Sequence, residues 1–85
     1  MPAKLFNVAK KADRQLSKFP LKVQGRIIQA LKQLKQNPMR GAKLGGELAD
    51  QYKFRVGDYR VVYKFDSKES RIEVVKIEHR QGVYK

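Results

Sequence analysis

Between residues 52 and 65, basic and apolar side chains alternate on both sides of a short break, Gly57-Asp58. Alternation with a period of two marks strands, and a two-residue break containing glycine between alternating runs marks a tight hairpin. With Gly57 and Asp58 as the loop, Val56 stands opposite Tyr59, Arg55 opposite Arg60, Phe54 opposite Val61 and Lys53 opposite Val62. Successive side chains point to opposite faces. One face then carries Tyr52, Phe54, Val56, Tyr59, Val61, Tyr63 and Phe65, and the other carries Lys53, Arg55, Arg60, Val62 and Lys64. Arg55 and Arg60 become direct cross-strand neighbours, a placement that destabilises a sheet. In water the repulsion is about 1 kcal/mol, and it grows with desolvation. Folding does not ask for this pair. A bound anion would turn the repulsion into complementarity, and phosphate matches the bidentate fork of arginine. The plainer reading is a solvated basic face on a basic protein.

The chain ends Glu78-His79-Arg80-Gln81-Gly82-Val83-Tyr84-Lys85. His79 is a residue type that could move protons, although a lone histidine at a strand end is more often structural. Tyr84 could stack on a base, or it could clasp the C-terminus against the domain. These residue types suit RNA cleavage by the RNA's own 2′-OH. That reaction needs a base for the hydroxyl proton, cations for the charge growing on phosphorus, and an acid for the leaving 5′-oxygen. Paired carboxylates and paired histidines, the usual acid–base sets, are missing from the pattern. A lysine crowded by other cations can serve as base, because like charges favour its neutral form. With no cysteine and one histidine, the sequence predicts neither a disulfide nor a zinc site, and no cofactor.

The elements that must position this hairpin can also be read. Lys4 to Val8 is a short strand. From Ala9 the spacing becomes helical, with Ala12, Leu16 and Phe19 near one face and Lys10, Lys11, Arg14 and Lys18 off it. Pro20 interrupts and fits as an early residue of a second helix. Val23, Ile27, Ala30, Leu31 and Leu34 form its apolar stripe, and Asn37-Pro38 stops it. Gly25 inside that helix costs roughly 1 kcal/mol relative to alanine. Residues 39–50, with three glycines and no period, read as a loop. The strands are Gln51–Val56, Tyr59–Asp66 and, after the turn at residues 67–70, Arg71–His79. The predicted fold is α+β: an N-terminal helical hairpin packed on a small antiparallel sheet of three to four strands, with residues 1–85 forming one domain. A chain of this length buries only about 60–65% of its unfolded surface, so the core must be thin.

Twenty basic residues against eight acidic ones give a net charge of +12. Eleven of the basic residues and one acid, Asp13, lie within residues 1–46, so the two helices carry most of the excess. Such an imbalance favours a polyanionic partner: nucleic acid first, then an anionic membrane surface or an acidic protein. No apolar run is long enough to span a bilayer and the N-terminus has no apolar signal core, so the cytoplasm is the expected location.

Residues 52–63 resemble the central hairpin motif of the RelE/ParE toxin superfamily. His79-Arg80-Gln81-Gly82-Val83-Tyr84 resembles the ending of its RelE branch, and Lys43-Leu44-Gly45-Gly46 the stretch such proteins carry before the hairpin. The resemblance spans essentially the whole chain and implies a RelE/ParE-like, microbial-RNase-like fold. It implies a toxin that cleaves mRNA in the ribosomal A site without metal and is held inactive in a complex with a RelB-like antitoxin. Ribosomal RNA and mRNA would be its other partners, with the basic helices on ribosomal phosphates. Carried over by motif, Lys53 is a candidate general base and Arg55 a phosphate ligand. Arg60 would stabilise the transition state, Arg80 would stabilise charge or supply the leaving-group proton, and Tyr84 would stack on a base. Some members rely on a histidine near the C-terminus, which keeps His79 beside Lys53 as a candidate base. Two other readings stand: a ParE-like inhibitor of DNA gyrase that cuts no RNA, and a non-catalytic ribosome-binding module.

Overall fold

The computed structural model describes residues 3–43 and 51–79. Strand β1 (Leu5–Val8) leads into helix α1 (Lys10–Ser17) and helix α2 (Leu21–Gln36). A single 3-10 turn (Pro38–Arg40) and a two-residue strand β2 (Ala42–Lys43) follow. Strands β3 (Gln51–Val56), β4 (Tyr59–Asp66) and β5 (Arg71–His79) complete the sheet, in the order β1-β5-β4-β3-β2. The helices and the three long strands fall where the spacing predicts. The sheet differs in having five strands, and in being mixed, because β1 pairs parallel with β5. The partner of β1 lies more than sixty residues away, so no hairpin signal announces the pairing. β2 lies in the segment expected to be loop; it forms against β3, pairing Ala42 with Lys53 and Lys43 with Tyr52. Two residues are too few to show a period. The rest of the expected loop, residues 44–50, lies outside the described residues.

Pro20 sits in an extended conformation immediately before α2 rather than inside it. Its fixed φ suits a helix start, and the Gln24 side chain closes the break by donating to the Phe19 carbonyl oxygen at 2.9 Å. Asn37 precedes a proline, which disfavours helical backbone there, and it ends α2 at φ −140° and ψ 84°. Both helices lie on one face of the sheet. Ala12 from α1 and Ile27, Leu31 and Leu34 from α2 meet Tyr52, Val61, Tyr63, Ile72, Val74 and Ile77 in the buried core. The face expected to carry the core does so: Phe54, Val56, Tyr59 and Phe65 pack against the same cluster.

Tyr63 ties the sheet to the segment after α2. It is fully buried, donates its hydroxyl to the Pro38 carbonyl oxygen at 2.7 Å and accepts from the Gly41 N–H at 3.0 Å. Burial pushes its pKa up, outweighing the Gly41 hydrogen bond, so the phenol stays neutral. At the other edge, β1 stops at Val8, and the Gln15 side chain of α1 takes over by accepting from the Ile77 N–H at 2.8 Å. A buried strand N–H without an acceptor would be costly, so this contact fixes the last third of β5. No helix among the described residues is long and apolar enough to cross a membrane.

Two glycines give opposite expectations. A Cβ on Gly25 meets nothing within 4 Å, so Gly25→Ala should stabilise the protein by about 0.5–1 kcal/mol. A Cβ on Gly41 would come within 2.6 Å of the Tyr63 hydroxyl and 2.8 Å of the Lys53 carbonyl oxygen. Gly41→Ala should therefore destabilise by about 1–3 kcal/mol through overpacking. Urea midpoints of the two variants, moving in opposite directions from wild type, check both.

Candidate functional site

The hairpin register is the one the sequence implies: Val56 opposite Tyr59, Arg55 opposite Arg60, Phe54 opposite Val61, Lys53 opposite Val62. Gly57 has φ of 61° while Asp58 has a negative φ, the pattern of a turn with glycine in the first central position. That turn matches the strand twist and locks the register, which in turn sets every side chain's face. Lys53, Arg55 and Arg60 therefore share the face away from the helices. Arg55 is exposed, and Lys53 and Arg60 are half-buried.

The third strand adds residues to this face that the hairpin alone does not reveal. Along β4 and β5, Tyr59 pairs with His79, Arg60 with Glu78, Val61 with Ile77 and Val62 with Lys76; then Tyr63 pairs with Val74 and the register skips Val75. This bulge reverses the phase of β5. It sends Ile77 into the core and brings Lys76 and Glu78 to the cationic face. Glu78 meets Arg60 through Oε1, which accepts from Nη2 at 2.8 Å and from Nε at 3.2 Å. Its other oxygen, Oε2, lies 3.4 Å from Lys76 Nζ. Burial by itself would raise the Glu78 pKa. The Arg60 hydrogen bond and the charge and hydrogen bond of Lys76 outweigh that and hold it below 4.5.

Two rows run across the sheet: Lys53–Val62–Lys76, and Arg55–Arg60–Glu78. Val62 is only 3% exposed although it faces away from the helices, with a lysine stem on each side. Lysine stems cover apolar surface while their heads stay in water, so Val62 is an apolar floor under a ring of cations. The arrangement can bind a phosphodiester and stabilise added charge on it. Among the described residues, no group of three or more His, Asp and Glu side chains is placed to hold a metal ion. A cleft at the far end of β4 and β5, between Lys64, Asp66, Lys68, Glu69, Arg71 and Glu73, mixes both charges in equal number and lacks this cationic excess.

His79 is not brought to this face. Its register partner Tyr59 faces the helices, and the two rings meet edge to face with centroids 4.6 Å apart; Tyr59 in turn packs on Phe19 at 4.7 Å. Arg80 and Tyr84 lie outside the described residues. Sequence reading missed Glu78 and Lys76, although β5 carries a signal. Its apolar residues fall at 72, 74, 75 and 77, so the alternation slips by one between Val74 and Val75. A slip of that kind marks a bulge.

Comparison with known proteins places this geometry. The model of the family described as ParE toxin of type II toxin–antitoxin systems matches residues 7–84. The chain belongs to the RelE/ParE family of type II toxins. It is 30% identical over 76 residues to Toxin RelG of Mycobacterium tuberculosis, covering 87% of each chain. It is 34% identical to Toxin RelE of the same organism, again over 76 residues, covering 87% of this chain and 78% of the relative. Among solved structures, the toxin–antitoxin complex RelBE2 from Mycobacterium tuberculosis contains a chain that superposes with a TM-score of 0.85 at 27% identity, covering 94% of this chain and all of that one. The fold is thus that of RelE-like toxins, and the cationic face belongs to a RelE/ParE domain.

The Glu78 contacts carry a pH signature. A carboxylate whose folded pKa lies below its unfolded value stabilises the fold fully above about pH 4.5–5, and that stabilisation is lost as pH falls through the lowered folded value. Urea midpoints of wild type and Glu78→Gln should differ near neutrality and converge as pH falls below the usual carboxylate range. A difference that does not change with pH would contradict the ion-pair assignment.

Proposed function

We propose that this RelE/ParE-family toxin is an endoribonuclease that cleaves mRNA in the ribosomal A site by metal-independent attack of the 2′-OH. The observation that carries the reading is the shared open face of Lys53, Arg55 and Arg60, built by the hairpin register. In-line attack places the 2′-oxygen and the leaving 5′-oxygen on opposite sides of phosphorus. Base and acid must then flank the cations that hold the phosphate. The Arg55–Arg60 pair lies between the Lys53 row and the end of β5, where Arg80 follows in sequence. Lys53 is assigned as base, Arg55 as phosphate ligand and Arg60 as stabiliser of the pentacoordinate transition state. Arg80 is assigned as the group that neutralises or protonates the leaving oxygen, and Tyr84 as a stacking residue for the base. His79 remains an alternative base, one that would have to act around the end of β5.

The basic helices suit contact with ribosomal RNA phosphates, and the same surface suits an acidic partner. The Mycobacterium tuberculosis relative at TM-score 0.85 is a toxin in complex with its antitoxin, which supports a RelB-like antitoxin as the regulator of this chain. Residues 1–85 would act as one unit, in the cytoplasm where ribosomes are. A second reading is favoured by the name of the matching family model: a ParE-like toxin that inhibits DNA gyrase and cuts no RNA. The two curated relatives bear RelG and RelE names, and the first reading gives the cationic face a direct part in the chemistry.

Primer extension on a defined mRNA in a reconstituted translation mixture, with and without ribosomes, separates the readings. Cuts at A-site codons that require ribosomes are expected. Arg60→Ala and Arg80→Ala should each slow them by about 10²-fold, the usual effect of removing one transition-state contact. Inhibition of gyrase supercoiling by the purified toxin, with mRNA left intact, would favour the second reading.

A further inference from the structure

Arginine offers five N–H donors in a rigid plane, and its side-on and end-on edges are distinct forks. In this structure the side-on edge of Arg60, made of Nε–H and one Nη2–H, is given over to a single oxygen of Glu78. No other described residue accepts from the Arg60 side chain, so the described residues leave the end-on fork of Nη1 and Nη2 open, on a side chain 40% exposed. The second oxygen of Glu78 draws in Lys76, a cation the hairpin motif does not include, on a side chain 36% exposed. Glu78 itself is the more enclosed of the three, 22% exposed, and sits on a stretch of β5 fixed by the bulge and by Gln15.

We propose that Glu78 is a positioning residue that turns the end-on fork of Arg60 toward an RNA phosphate and sets Lys76 beside it as a second, unassigned phosphate ligand. The chemical identity of the phosphate, a phosphodiester of RNA, rests on the endonuclease reading. An ion pair exposed to this degree contributes only modestly to folding, so stability accounts for an acid on a cationic face only in part. Nor does it neutralise the face: one carboxylate stands among Lys53, Arg55, Arg60 and Lys76. What it supplies is orientation. A free arginine samples many rotamers, and a guanidinium clamped along one edge has already lost that freedom before the phosphate arrives.

The opposite possibility, that Glu78 competes with phosphate for Arg60, predicts tighter binding by Glu78→Ala and loss of the Arg60–Glu78 contact on binding, so one set of measurements decides. Inorganic phosphate is titrated into wild type, Glu78→Ala and Glu78→Asp while the side-chain Nε–H resonance of Arg60 is followed, with thermal melts confirming that each variant is folded. The expected result is that phosphate binds wild type with the Arg60 Nε–H still protected. Glu78→Ala should bind phosphate several-fold more weakly despite its higher net charge, and Glu78→Asp should recover part of the loss. In the ribosome assay Glu78→Ala should slow single-turnover cleavage by about tenfold to a hundredfold, with ribosome affinity unchanged. Lys76→Gln should weaken phosphate binding without altering the Arg60 signal. Tighter phosphate binding by Glu78→Ala, or exposure of the Arg60 Nε–H when phosphate binds wild type, would overturn the proposal. A wild type that cuts no RNA would remove the endonuclease reading and leave the phosphate titration to judge Glu78. Should Glu78→Ala fail to fold, Glu78→Gln, which keeps the size and one acceptor, takes its place in the same titration.

Discussion

A strand cannot turn two adjacent side chains to the same face, and β5 has apolar residues at both 74 and 75. The bulge that skips Val75 resolves the conflict, and much of the molecule follows from it. Before the skip, Ile72 and Val74 enter the core; after it, Ile77 does. Had the alternation run on unbroken, Lys76 would point at the helices and Ile77 at solvent. Burying a lysine there would cost several kcal/mol, which the skip avoids at the expense of a locally disrupted ladder. The N–H of Ile77, just past the skip and beyond the end of β1, is the group that Gln15 accepts from. The bulge, the glutamine and the core isoleucine thus form one arrangement, and its outward consequence is Glu78 beside Arg60.

The cationic face then becomes affordable in a small domain. Arg55 and Arg60 repel across the hairpin, and Lys53 and Lys76 stand in the next row. Each such repulsion is about 1 kcal/mol at the surface and rises if water is excluded. Stability of a protein this size is on the order of 5–10 kcal/mol, so four cations without an acid would take a noticeable share. Glu78 relieves Arg60 and Lys76 together and leaves Arg55 and Lys53 without a carboxylate beside them in the register. On the opposite face, Tyr63 offsets some of the thinness of the core, since its buried hydroxyl joins the segment after α2 to the central strand through two hydrogen bonds.

The parts legible in the sequence are those governed by short-range periodicity. The hairpin register needed only the Gly57-Asp58 turn and the alternation around it, and each of its four predicted pairs is present. Helix α2 was marked by its stripe and by Asn37-Pro38. The parts not legible depend on pairings between distant segments. β1 joins β5 in parallel across most of the chain, and β2 exists only because β3 offers it an edge. Glu78 and Lys76 were hidden for a related reason: placing them requires the phase of the third strand, and a count from the turn at residues 67–70 without the skip gives Arg60 the wrong partner. His79 illustrates the same dependence, since its neighbourhood in sequence to Arg80 suggested a shared site while the register puts its ring against Tyr59.

That placement bears on the choice between the two candidate bases. Under the proposed endonuclease mechanism, a base for the 2′-OH must reach the phosphate that the arginines would hold, from the side away from the leaving oxygen. Lys53 is two residues from Arg55 on the same strand and face, about 7 Å along β3, within reach of a long side chain. His79 stands on the other face of a continuous sheet, with Tyr59 against its ring. Packing of this kind fixes an imidazole and limits its excursions, whereas the lysine head moves on a flexible stem over the Val62 floor. The fold therefore separates the two groups by face. The histidine closes the aromatic edge of the core formed with Phe19 and Tyr59, and Lys53 shares the face of Arg55 and Arg60, the side from which the proposed endonuclease would need its base.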